Sequence, residues 1–234
     1  MDYIWEGIRQ AFFIILRLDK EFAWIVFVSI RVAFTSTLLA TLVGCPLGVM
    51  LARKRFRGRQ ALLTIVNTLM SLPTVVVGLM LYSVLSRRGP LGSLGLLYTL
   101  TAMILGQFIL VLPIVIGLVA SAIRGLDERV NRTALSLGAS SWQAFFALLR
   151  EARHGLLAAV IAGFGRVFAE VGISMMLGGN IRGYTRNITT TIALETSKGE
   201  FALGIALGLV LLTVAFGVNL LLASFQKRIR RVGI

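Results

Sequence analysis

The chain is poor in the residues on which enzymes depend. Among 234 residues there are one cysteine, one histidine and ten acidic residues. Cys45 alone cannot close a disulfide within the chain, and His154 alone cannot build a multi-histidine metal site. His154 sits between Arg153 and Gly155 and reads as an interfacial residue rather than a catalyst. The patterns H-E-x-x-H, C-x-x-C and G-x-S-x-G are all missing. Only four lysines occur and none follows a glycine, which excludes the phosphate loop G-x-x-x-x-G-K-[ST]. The first residues, MDYIWEG, carry no basic stretch, so no cleavable signal peptide is expected. A membrane-embedded enzyme is therefore disfavoured.

What the chain does have is apolar length. Hydrophobic residues make up 57% of it, against about 45–50% in soluble domains. Five runs reach the ~20 apolar residues that a helix needs to cross hydrocarbon: Phe22–Leu51, Ala61–Leu85, Leu96–Ile123, Leu156–Leu177 and Phe201–Phe225. None alternates with period two, which argues against a barrel. The expected fold is an all-α integral membrane domain of five transmembrane helices. Residues 1–21 differ: Ile4, Ile8, Phe12 and Ile15 share one helical face opposite Glu6, Arg9, Gln10, Arg17 and Lys20. They read as an amphipathic helix in the interface, with a sixth, tilted span as the alternative.

The net charge of +14 suits nucleic acid in a soluble protein. Here the basic residues punctuate apolar runs, so they report topology instead. Arg53, Lys54, Arg55, Arg57 and Arg59 follow the first span. Arg124, Arg129, Arg132, Arg150 and Arg153 follow the third, and Lys227, Arg228, Arg230 and Arg231 end the chain. This richer side is expected to be cytoplasmic, with the N-terminus outside and the C-terminus inside. The resulting plan is one permease domain: 1–21 interfacial, 22–123 spans one to three, 124–155 a cytoplasmic loop, 156–225 spans four and five, and 226–234 a basic tail. An outer loop at 178–200, containing NITTTIALETSKGE, is expected to form a short helix lying at the outer face. Nothing repeats internally.

Ionisable groups inside a span are costly and mark paired or functional sites. Arg166 and Glu170, in GFGRVFAEVG, are four residues apart and so share a helix face. They read equally well as a self-neutralising lock and as a gate on a translocation path. Gly44-x-x-x-Gly48 and Gly204-x-x-x-Gly208 are spacings that let helices approach closely. Pro46, Pro73 and Pro113 interrupt three spans and can kink them. On the outer side, Arg182, Arg186, Arg87 and Arg88 read either as electrostatic attractors for an anion or as solvated interface residues.

The stretch RTALSLGASSWQAFF lies in the cytoplasmic loop. Gly138 divides it into two short helical pieces. Trp142, Phe145 and Phe146 recur at i, i+3 and i+4 on the second piece, forming an aromatic knob fit either for docking a partner or for resting on the membrane. This stretch resembles the cytoplasmic EAA loop of ABC importer permeases, a pattern of Glu-Ala-Ala, three residues, then Gly. Arg132, Thr133, Ala134 and Gly138 hold those places, with Arg132 standing where the family has Glu. The family's downstream Leu-Pro is replaced by LLREARHG.

The segments REARHGLLAAVIAGFGR, EVGISMMLGGNI and TRNITTTIALETSKGEFALGIALG are similar to the tungstate-type branch of oxyanion permeases, related to the molybdate permeases. The resemblance implies a five-span type I (MetI-like) importer fold in a plasma membrane. It also implies a homodimer, with Arg132, Thr133, Ala134, Gly138, Ala139, Trp142, Phe145 and Phe146 coupling to a separate pair of ABC ATPase subunits. An extracytoplasmic binding protein would deliver tungstate; the alternative is the same architecture carrying molybdate or another small oxyanion. ATP and Mg would be bound by the ATPase, with no cofactor on this chain and no nucleic-acid partner. A self-contained secondary transporter or channel is the rival class; it usually shows inverted repeats.

Overall fold

The computed structural model describes residues 5–9, 12–13, 20–53, 56–126, 133 and 136–232, with side chains for all of these except 141, 221–223 and 225–232. The regular structure is entirely helical among the described residues. In chain order the helices are α1 (Lys20–Arg53), α2 (Arg59–Met70), α3 (Thr74–Leu85), α4 (Leu100–Arg124), α5 (Ser141–Glu151), α6 (Arg153–Phe168), α7 (Gly172–Gly178), α8 (Ile188–Ser197) and α9 (Phe201–Val232). Three continuous helices, α1, α4 and α9, are long and apolar enough to cross a membrane. The pairs α2–α3 and α6–α7 reach that length only together, bent by 98° and 59°. Five spans thus hold if each bent pair counts as one, and two of the five are broken.

The core forms where α1 and α4 cross, with α6 against both. Val111, Val115 and Val119 of α4 meet Ala33 and Ala40 of α1 and Phe164 and Val167 of α6, all buried. The approach requires the absence of side chains. A Cβ on Gly48 would stand 2.8 Å from the Val119 side chain and 2.9 Å from the Ile116 carbonyl oxygen, and one on Gly44 3.0 Å from Val115. The Gly44–Gly48 spacing is therefore a contact surface. In the Gly204–Gly208 spacing only Gly204 is a contact: a Cβ there would stand 2.9 Å from the Thr196 hydroxyl, whereas one on Gly208 meets nothing within 4 Å. The opposite faces remain apolar and uncovered. Phe27, Phe34 and Leu42 of α1, Leu79 and Met80 of α3, and Leu212 and Phe216 of α9 are all exposed. Apolar surface of this extent belongs against hydrocarbon or another chain.

The three prolines behave differently. Pro46 and Pro113 lie inside continuous α1 and α4. Pro73 instead caps α3, with extended backbone at φ −62° and ψ 126°. The α2 helix closes before it, Ser71 N–H donating to the Thr68 carbonyl. A proline also disfavours helical backbone at the residue before it.

The break between α6 and α7 has no proline, and it corrects the reading of Leu156–Leu177 as one helix. A second correction concerns the loop at 178–200. Its helix, α8, forms, but Ile188, Thr189, Thr190 and Thr191 are buried, so α8 enters the bundle instead of lying on it. A capping box makes that entry tolerable. Asn187 accepts from Thr190 N–H at 2.9 Å, and the Thr190 hydroxyl accepts from Asn187 N–H at 3.1 Å. Ser29 of α1 accepts from Ile188 N–H at 2.9 Å. Orphan donors at the start of a helix need such partners when water is excluded.

At the N-terminus, residues 5–9 and 12–13 are helical, with Trp5, Ile8, Phe12 and Phe13 exposed. Gly7 is buried against Ile205 of α9. Ile4 and Ile15 lie outside the described residues.

Candidate functional site

The elbow is built as its sequence requires. Ser140 caps α5, its hydroxyl accepting from Gln143 N–H at 3.3 Å while the Gln143 side chain accepts from Ser140 N–H at 2.8 Å. Gly138 reverses the chain just before, at φ +84°, with open space where a Cβ would sit. Its requirement is therefore conformational and not steric. Thr133 is helical and exposed, and its carbonyl accepts from Leu137 N–H at 3.0 Å. Ala139 is half-buried. Arg132 and Ala134 lie outside the described residues.

Two faces of α5 do different things. Ala144 and Leu148 are buried, and Leu148 belongs to the central core. On the other face Trp142 is 71% exposed and Phe146 60%. Trp142 and Phe146 stack at 6.1 Å, and Phe145 meets both edge-on at 5.8 and 5.6 Å. Phe145 is half-buried and packs toward the core, so it props the cluster from beneath. Leu137, 82% exposed beside Gly138, extends the apolar patch and was not singled out by spacing. The elbow thus displays an exposed aromatic cluster on a helix whose opposite face is fixed in the core.

The ionisable pair forms, but not on one helical face. The α6 helix ends at Phe168, so Arg166 belongs to α6 while Glu170 lies in the break. Arg166 donates to Glu170 Oε2 at 3.1 Å, and Ile173 N–H, in the first turn of α7, donates to Oε1 at 3.2 Å. Both carboxylate oxygens are thus engaged, one on each side of the bend. Glu170 is 3% exposed and Arg166 41%. The Glu170 carbonyl in turn accepts from the Thr189 hydroxyl at 2.9 Å, joining the bend to α8. A further bridge missed in sequence, Gln107 of α4 donating to Ser174 of α7 at 2.8 Å, holds α7 on its far side.

The four arginines expected outside divide into two pairs. Arg182 makes a bidentate pair with Glu21 in the first turn of α1, and Arg186 lies 3.8 Å from the same carboxylate. Those two staple the loop after α7 to α1. Arg87 and Arg88 are exposed and have no ion-pair partner among the described residues.

Apolar helices broken inside their bundle, with a rigid aromatic helix displayed at one end, define a membrane permease component. The chain belongs to the family described as binding-protein-dependent transport system inner membrane component, whose model matches residues 44–231. It is a multi-pass inner-membrane protein. It is 41% identical to the tungstate uptake system permease protein TupB of Peptoclostridium acidaminophilum, over 97% of this chain and all of that one. It is 30% identical to the molybdenum transport system permease protein ModB of Azotobacter vinelandii, over 88% of this chain and 94% of that one. In fold it is similar to the MetNI methionine ABC transporter in inward-facing conformations, with a TM-score of 0.74, 18% identity, and coverage of 90% of this chain and 99% of that one. It is likewise similar to a bacterial alginate ABC transporter in complex with an alginate-bound periplasmic protein, with a TM-score of 0.76, 19% identity, and coverage of 95% and 87%.

Proposed function

We propose that this chain is the permease subunit of an ATP-driven tungstate importer. Two copies form the translocation unit, an extracytoplasmic binding protein delivers the anion, and a separate ABC ATPase pair binds ATP and Mg. The observation that carries the coupling role is the display of Trp142 and Phe146 on a helix whose other face is in the core. A force applied to that knob is passed to α6, which follows α5 after a single residue, and so to the Glu170 bend. Rigid-body coupling of this kind needs no ATP site on the chain itself. The richer basic side, including the elbow, faces the cytoplasm. The tungstate assignment rests on the relatives, with molybdate second because tungstate and molybdate are both tetrahedral dianions.

The knob is tested by Trp142→Ala with Phe146→Ala. Phe145, which also faces the core, is left in place to spare the fold. Losing two anchoring aromatics is expected to weaken ATPase association about a hundredfold or more, while membrane insertion and permease level stay normal. ATPase co-purifying unchanged with this variant would remove the elbow from the docking site. Uptake of tungstate by the reconstituted complex, with excess molybdate as competitor, tests the substrate: equal competition would broaden it to both anions.

A further inference from the structure

A pair of tyrosines divides two cavities at the end of the bundle that carries Glu21 and Arg182. Tyr82, in the last turn of α3, and Tyr98, just before α4, bring their hydroxyls to 3.3 Å. On one side is a cavity of about 560 Å3 lined by Tyr82, Tyr98, Ser86, Arg87 and Arg88 among others. On the other is one of about 640 Å3, between α3 and α7, lined by Leu79, Met175, Met176 and Ile181 with the same two tyrosines. Both are lined mostly by apolar surface; what sets the first apart is Arg87 and Arg88 in its wall, where the second has no charged residue.

Tyr98 is held there against its backbone preference. It takes φ +65°, a region that bulky residues avoid. Its N–H donates to the Leu177 carbonyl at 2.8 Å, tying it to the end of α7. Its ring fills the space beside Gly179, where a Cβ would come within 2.6 Å of the ring carbon Cδ1. Strained backbone that the surroundings over-determine is characteristic of ligand clamps.

We propose that Arg87, Arg88, Tyr82 and Tyr98 form an anion-receiving site on the permease itself, taking a tetrahedral oxyanion before it passes between α3 and α7. The site rests on the proposed importer reading and supplies what that reading lacks, a place on this chain that recognises the cargo. Guanidinium forks match the edges of a tetrahedral oxyanion. The two arginines attract the dianion, and phenol hydroxyls turned from each other toward it complete the donor set. A chamber of about 560 Å3 holds the anion with several waters, each taking about 30 Å3. At the end of α3 the carbonyls of Tyr82 and Val84 accept from Ser86 N–H and Leu91 N–H. The methionine-lined cavity beyond offers no charge partner, so the anion stops at the tyrosines until the helices move.

The test uses the full complex of permease, ATPase and binding protein in proteoliposomes, with tungstate as probe. Each variant is first matched to wild type for assembly with the ATPase. Arg87→Gln with Arg88→Gln is expected to lower uptake at saturating tungstate-loaded binding protein about tenfold or more, the scale of losing charged hydrogen bonds. Arg87→Lys with Arg88→Lys should recover much of that loss. Tyr98→Phe, which removes one oxygen, should lower uptake about threefold, and it carries the test alone if the glutamine pair fails to assemble. Affinity of the complex for the binding protein should stay within about twofold of wild type, because the anion and not the protein is the ligand. A parallel loss of that affinity would make the arginines a docking patch for the binding protein and overturn the site. Unchanged uptake would overturn it too. A wild-type complex that hydrolyses ATP but takes up no tungstate would instead overturn the importer reading, and this site with it.

Discussion

Two spans of this protein are broken, by opposite means. Between α2 and α3 the chain turns by 98° at a proline, with Ser71 and Pro73 exposed and, among the described residues, only the local Ser71 hydroxyl bond to Thr68 as a side-chain hydrogen bond at the turn. Between α6 and α7 it turns by 59° with no proline, around a buried carboxylate held by Arg166 on one side and Ile173 N–H on the other. The first bend combines a helix already closed at Ser71 with the fixed φ of Pro73 at the start of α3. The second exists only while a charge and its partners stay assembled. The comparison teaches where movement is available. A bend made of hydrogen bonds can be remade in another arrangement, whereas a proline bend serves as a fixed corner.

The largest effect should come from Glu170→Ala, which strips both acceptors from the α6–α7 bend. About 3 kcal/mol of stability should be lost, read as a lowered melting temperature of the purified complex, and transport should fall with it. Glu170→Gln keeps one acceptor oxygen and should cost about half as much. If that variant reaches the membrane at normal levels yet transports nothing, the carboxylate serves the transport cycle beyond holding the bend; normal transport would leave it a lock.

Thr189→Val removes the bond from α8 to the Glu170 carbonyl and should cost about 1 kcal/mol. A value near zero would mean that α8 does not brace the bend. Pro73→Ala should matter least, about 0.5 kcal/mol through the freed unfolded chain, because the helix ahead of it is already closed by Ser71. A penalty as large as that of Glu170→Ala would erase the distinction between the two bends.

The same pair of bends shows what the sequence made legible. Apolar run length located the three continuous spans and both bent pairs, since hydrocarbon thickness fixes that length. Pro73 announced its own break, but so did Pro46 and Pro113, which sit inside intact helices; local sequence does not say which proline the packing will absorb. The α6–α7 break left a subtler trace: an acid four residues after an arginine, followed by Gly172. Read on an ideal helix, that spacing gave the right partners and the wrong backbone. The burial of α8 was hidden because its threonines look solvent-loving until Asn187, Ser29 and Glu170 are placed around them. The α5 half of the elbow was readable because capping, Gly138 and aromatic spacing are all local. The Tyr82–Tyr98 pair, sixteen residues apart across a loop, left no periodic signal at all.

The exposed knob of α5 has one more consequence, at the level of biogenesis. If the proposed docking role holds, a copy of this chain inserted before its partner is made presents Trp142, Phe146 and Leu137, all exposed in the lone chain, as an uncovered adhesive patch. Such an orphan subunit is a target for quality-control proteases and a seed for aggregation. Under the proposed coupling role, its production has to be kept in step with that of the protein that covers the patch, so three side chains would constrain the stoichiometry of synthesis.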